Sequence, residues 1–196
     1  MLLMAENVKR MIFQAFLSGL LTLIPATGHP APAKSAVIAI KVLDQELLNQ
    51  DGKRVRFKSD IIGDKLAIIS FTYSTCALRP IIDGITTGIQ DQLGERLGRD
   101  VAIVSISIDP VTDIPPRLKQ YQKSVSAKPG WVFLTGKKPD VDRVLVGLDS
   151  FAPNIYNHPL SLLVGDGRKG VWKRLFGFPS ADAVMKVVKE LEDNRR

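Results

Sequence analysis

Two side chains in this sequence could act together as soft ligands or support thiol chemistry. Cys76 is the single cysteine in 196 residues. It lies in Phe71-Thr-Tyr-Ser-Thr-Cys76-Ala-Leu-Arg-Pro80, at the end of an apolar run. His158 is one of two histidines and stands in Tyr156-Asn-His158-Pro159, just before another apolar run. The other, His29, falls in the N-terminal leader read below. A thiolate and an imidazole are donors that Cu(I) favours, whereas an isolated reactive thiol points to redox chemistry. A chain with one thiol has no internal dithiol–disulfide cycle, because that exchange needs a second, resolving cysteine.

The segments around this pair set its context. Lys9 and Arg10 precede the apolar run Met11–Ile24, which Pro25, Gly28 and the small-residue stretch Ala31-Pro-Ala33 follow. This positive, apolar, small-residue order is that of a secretory signal peptide. Residues 1–33 are therefore expected to be a signal peptide cleaved after Ala33, with an uncleaved anchor as the alternative. Residues 34–196 are expected to be one domain, exported or periplasmic. No cysteine near the cleavage region could carry a lipid. In an oxidising compartment a cysteine with no partner is either buried and inert or kept for reactivity or metal.

The formal net charge is +7. Basic residues cluster at Lys53–Lys58, Arg168-Lys169, Lys173-Arg174 and Arg195-Arg196. Such clusters suit an acidic protein face or an anionic membrane surface, although a solvated surface explains them equally. Nucleic acid is not expected as a partner, since no stacking aromatics interleave with the charges.

Pattern and turn chemistry give an α/β order. Val37–Leu43 is β-prone. Asn49-Gln-Asp-Gly52 followed by Val55-Arg-Phe57 predicts a hairpin. Leu66–Phe71 and Val101–Ile108 are continuous apolar runs of buried-strand length. Ile81, Ile82, Ile85, Ile89, Leu93 and Leu97 recur at helical spacing. Pro115-Pro116 opens a helix through about Lys123. Trp131–Leu134 is a strand and Asp140–Leu148 a short helix. Leu160–Val164, the turn Gly165-Asp-Gly167 and Val171–Phe176 form a closing hairpin. Ser180 caps a last helix that carries Val184, Val187, Val188 and Leu191 on one face. Strand–helix–strand units imply parallel pairing, and the closing hairpin adds antiparallel strands. The expected class is α/β, a mixed sheet flanked by helices with an extra N-terminal β-hairpin. Cys76 then sits where a buried strand meets a helix, whose free N–H groups favour a thiolate, and Arg79 adds positive charge nearby.

From about Val42 to Phe176 the chain resembles the Sco/SenC family of thioredoxin-like copper proteins. The resemblance rests on an ordered set of marks: Asp44…Gln50-Asp-Gly52, Phe71–Cys76, Val104-Ser-Ile-Ser-Ile-Asp109-Pro110…Asp113-Ile-Pro115, Trp131–Gly136, His158-Pro159 and Gly165-Asp-Gly167. It implies a thioredoxin fold, a periplasmic or membrane location, and copper delivery to a cytochrome oxidase. It also implies that Cys76 and His158 are metal ligands and that Asp109 lies close by. The family's copper loop carries two cysteines three residues apart, the second followed by proline. Here Pro80 matches that proline if one loop residue is missing, and Arg79 then stands in place of the second cysteine; read without a gap, Pro80 itself occupies that place, and either way the second sulfur is absent.

The leading expectation is a copper accessory protein, a metallochaperone rather than an enzyme. It would hold Cu(I) or Cu(II) through a weakened Cys76–His158 site and serve an oxidase subunit or another copper protein. One alternative is a single-cysteine redox or sensor protein that forms a sulfenic acid; against it, Tyr73 occupies the threonine place of a peroxidatic Thr-x-x-Cys loop. The other is a degenerate family member that binds a partner without metal. The Cys76 and His158 loops are expected side by side at the carboxyl end of the central strands.

Overall fold

A computed structural model of the chain describes residues 34–195; the leader read over residues 1–33 lies outside them. A single mixed sheet of eight strands runs in the order β1-β8-β7-β4-β5-β6-β2-β3. The strands are β1 Ser35–Ile38, β2 Glu46–Asn49, β3 Arg54–Arg56, β4 Leu66–Thr72, β5 Val101–Ser107, β6 Trp131–Thr135, β7 Ser161–Asp166 and β8 Val171–Phe176. The helices are α1 Arg79–Leu93, α2 Pro115–Ser124, α3 Lys138–Gly147 and α4 Ala181–Asp193.

Every side chain of β4 and of β5 is buried, as their unbroken apolar runs require of strands covered on both faces. β4 pairs with β5 in parallel, from Leu66 against Val101 to Thr72 against Ser107. On its other edge β4 pairs with β7 antiparallel, from Leu66 against Asp166 to Ser70 against Leu162. The residues after β4 and those before β7 therefore emerge at the same end of the sheet. Two cores form on its two faces. Ile68, Ile103, Ile89, Leu93, Leu118 and Val188 build one with α1, α2 and α4. Ile69, Val104, Phe57, Leu145 and Trp172 build the other with α3 and the N-terminal segments. At the centre of the sheet polar groups pair: the Ser70 and Ser105 hydroxyls lie 2.8 Å apart, and the Trp131 indole donates to Ser105 at 2.9 Å, whereas the buried Thr135 hydroxyl has no partner among the described residues.

The expected element order holds, including the leading hairpin β2–β3 and the Ser180 cap, whose hydroxyl accepts from the Ala183 N–H at 3.2 Å. Three details differ. The β-prone run Val37–Leu43 pairs as a strand only to Ile38, and the Lys41 N–H then bonds the Gly147 carbonyl at 2.8 Å, tying the chain to the end of α3. A π-helical turn, Phe57–Ile62, follows β3. Ile81 leaves the predicted apolar stripe and is 49% exposed, because it lies in the first turn of α1 at the rim of the domain.

Asp166, at the end of β7, is 1% exposed and receives two hydrogen bonds from Arg195, at 2.7 and 2.8 Å. Burial alone would raise its pKa. The Arg195 bonds and the Lys169 and Arg168 amides outweigh that and hold it below 3.8. A depressed carboxylate contributes stability that is present above its unfolded pKa and lost as pH falls through the folded value. Arg195→Met is therefore expected to shift the acid-unfolding midpoint to higher pH, followed by circular dichroism. Equal midpoints would show that the pair does not hold the carboxylate ionised.

Candidate metal centre

The Cys76 segment leaves β4 and turns before α1 begins: the Cys76 N–H bonds the Tyr73 carbonyl at 3.1 Å, and the Arg79 N–H bonds the Cys76 carbonyl at 3.2 Å. Two side chains hold this turn at one peptide. Asp113, fully buried, accepts from the Ser74 N–H at 3.0 and 3.2 Å and from the Ser107 hydroxyl at 2.7 Å. Arg79 donates to the Ser74 carbonyl at 3.1 Å. The rest of the Arg79 guanidinium is committed away from the sulfur. It lies 3.4 Å from the Asp83 carboxylate and 4.6 Å over the Tyr121 ring. The positive charge expected to act on Cys76 is thus directed at Asp83. Burial raises the Asp83 pKa, and the Tyr121 hydroxyl bond and Arg79 partly offset that. Tyr121 is itself pushed far up by burial and by Asp83.

The His158 segment is held by a different charge. Arg174, on β8, is 3% exposed. It donates to the carbonyls of Leu148 and Asp149 at 2.9 and 2.8 Å, and to the hydroxyls of Ser150 and Ser161 at 3.2 and 2.9 Å. These partners are the beginning and the end of the connection that carries His158. Burial lowers the Arg174 pKa, with Asp149 opposing. A one-turn 3₁₀ segment, Ile155–Asn157, with the Asn154 side chain accepting from the Tyr156 N–H, then delivers His158 to the sheet end.

Cys76 and His158 share one neighbour. The Tyr73 ring meets the His158 ring edge-on, with centroids 6.1 Å apart, and meets Tyr156 at 6.5 Å. The Tyr73 pKa is raised by burial first, then by Cys76 beside its hydroxyl, and by the charges of Tyr156 and Asp109. The two loops therefore lie side by side as expected, and Asp109 is within electrostatic reach. His158 is half-buried. Burial lowers its pKa, the Pro159 backbone opposing more weakly, and its Nδ1 is buried without a hydrogen-bond partner. An imidazole with an unpaired buried nitrogen, set against the same tyrosine as the thiol, suits a soft ion of low coordination number. Among the described residues, no cluster of three or more His, Cys, Asp or Glu side chains is arranged to hold a metal. Tyr73, Asp113 and Arg174 are the site residues that sequence reasoning missed. Asp113 stood in a motif already singled out, but its partner Ser74 lies 39 residues away.

Known proteins share the family and the fold of this chain. A model of the SCO1/SenC family matches residues 39–161. The SCO1 protein homolog of Bacillus subtilis is 33% identical over 91 residues, a match that spans 45% of this chain and 45% of that protein. Among solved structures, a SCO1/SenC family lipoprotein from Bacillus anthracis superposes with a TM-score of 0.68 at 22% identity, over 80% of this chain and 97% of its own. Yeast Sco1 with copper bound gives 0.63 at 20%, over 79% and 90%. BsSco, described as a member of the Sco family of cytochrome c oxidase assembly proteins, gives 0.62 at 23%, over 80% and 95%. The fold is the thioredoxin-like α/β sheet of these proteins.

Asp113→Ala leaves the Ser74 amide and the Ser107 hydroxyl without their acceptor. It should destabilise the domain by about 2–3 kcal/mol in urea unfolding, and iodoacetamide should label Cys76 faster than in wild type under native conditions. An unchanged labelling rate would mean that Asp113 does not restrain the Cys76 turn.

Proposed function

This chain belongs to the SCO1/SenC family, and on that premise we propose that it is an exported copper-binding accessory protein for the assembly of a respiratory oxidase, with Cys76 and His158 as its metal ligands. The observation that carries this reading is the shared contact of both residues with Tyr73 at one end of the sheet. Copper is cargo here. The thiolate and the imidazole hold it, and Tyr73 and the core behind it limit water. With a single sulfur the site is weaker than a two-thiolate site, which favours handing the ion on over storing it.

The surroundings suit a docking partner. Leu78 and Ile81 beside Cys76, Val111 and Ile114 after β5, Tyr156 before His158 and Phe178 after β8 are all exposed, by 40% to 78%. Large apolar side chains gathered at one end of a domain mark an interaction surface. The occupant proposed for it is an oxidase subunit or another copper protein. One observation favours a second reading, in which this surface binds its partner without metal: Arg79, one of the two residues that the resemblance sets in place of the second sulfur, is already engaged by Ser74 and Asp83.

Cu(I) titration separates the two. Wild type should bind one copper per chain, and Cys76→Ser and His158→Ala should each weaken binding by at least about tenfold. Arg79→Cys, with a residue inserted in the loop for reach, should tighten it. Wild type binding no better than Cys76→Ser would leave the metal-free reading. Export is checked by N-terminal sequencing of protein from cells: the mature chain should begin near Lys34. The leader holds no cysteine, so attachment through a lipidated cysteine there is not part of the proposal.

A further inference from the structure

Half of the basic residues that cluster in the sequence are already engaged. Arg54 bonds Glu46, Arg56 faces Asp44, Lys173 bonds Glu190, Arg174 is buried and Arg195 holds Asp166. Four cations instead converge on one pocket of about 440 Å³: Lys41, Lys58, Arg168 and Lys169. Lys169 donates to the Asn194 carbonyl, whereas the side chains of Lys41, Lys58 and Arg168 have no partner among the described residues. No carboxylate lines the pocket.

Its apolar surface comes from the half-buried Ile40 and Val42, and the buried Ile62 and Trp172 form its floor. Trp172 lies flat against Gly165 of the neighbouring strand, where a Cβ would come within 2.1 Å of the indole. The pocket is built by three connections: the stretch after β1, the π-turn after β3 and the β7–β8 turn. All meet at the amino end of β4, and the seven residues of that strand put them roughly 20 Å from the Cys76 end.

We propose that this pocket binds the phosphate headgroup of an anionic phospholipid, with the cations on the phosphate and the Ile40 and Val42 surface against the glycerol and first acyl carbons. Charge complementarity selects the occupant. A cavity with several uncompensated cations and no acid rejects neutral ligands, and its volume lies in the range of small-molecule sites. A bare inorganic anion would leave the apolar surface unused.

The test follows Trp fluorescence of the full chain during titration with dihexanoylphosphatidylglycerol below its micelle concentration. Dihexanoylphosphatidylcholine and inorganic phosphate are titrated in parallel. Both tryptophans are buried, but Trp172 forms the floor of the pocket and Trp131 lies in the core on the other face of the sheet, so a change reports Trp172. The phosphatidylglycerol should give a saturable shift. Lys58→Gln/Arg168→Gln should weaken it by more than about tenfold, since each cation near an anionic headgroup contributes roughly fivefold. Both substituted residues are on surface connections, and an unchanged circular dichroism melt verifies the fold. An equal response to phosphatidylcholine, an equal response of the double variant, or saturation by inorganic phosphate at the same concentration would each overturn the proposal.

Discussion

The Ser74 peptide is the point on which the Cys76 end of the molecule depends. Asp113 takes its N–H and Arg79 takes its carbonyl, so a loop without regular structure is fixed from two sides. Both partners are charged, and hydrogen bonds to charged groups are roughly twice as strong as neutral ones. Arg79 is also compensated by Asp83 and stacked on Tyr121, so its cost of partial burial is met by partners outside the loop. Arg79 thus acts as a strut across the turn that carries Cys76.

The His158 connection is held on the same principle by a single buried cation. Arg174 is buried on β8 and spreads its donors over carbonyls and hydroxyls rather than a single carboxylate. A guanidinium suits this task, since its planar fork offers five donors in fixed directions. The antiparallel pairing of β4 with β7 then does the remaining positioning, because it turns two sequence-distant loops toward the same end. Tyr73 closes the arrangement from the last position before the Cys76 turn.

The fold was legible where one physical pattern dominates a segment. The apolar runs of β4 and β5 leave no choice but burial on both faces, and Ser180 announces α4 through its cap. Ile81 was misplaced because helical spacing says which side chains share a face but not how far the neighbouring elements extend to cover it. The π-turn at Phe57–Ile62 has no periodic signal. Cys76 and His158 were legible through family motifs and their rarity. Asp113 and Arg174 were not, since their roles exist only through partners 39 and 26 residues away. The basic clusters misled in a related way: adjacency in sequence says nothing of pairing, and Lys173 and Arg174, side by side, meet a surface glutamate and a buried set of carbonyls.

The outer strand β3 has a consequence for how copies of this protein behave together. A strand at the margin of a sheet presents unpaired backbone groups that invite a neighbouring chain to add on. Here that margin is only Arg54–Arg56, its two arginines are exposed, and the π-turn bends the backbone away immediately afterwards. Two molecules approaching through β3 would have to displace or desolvate the exposed Arg54–Glu46 and Arg56–Asp44 pairs before any ladder could form. The short strand, flanked by long charged side chains and quickly terminated, therefore guards against runaway polymerisation along the sheet.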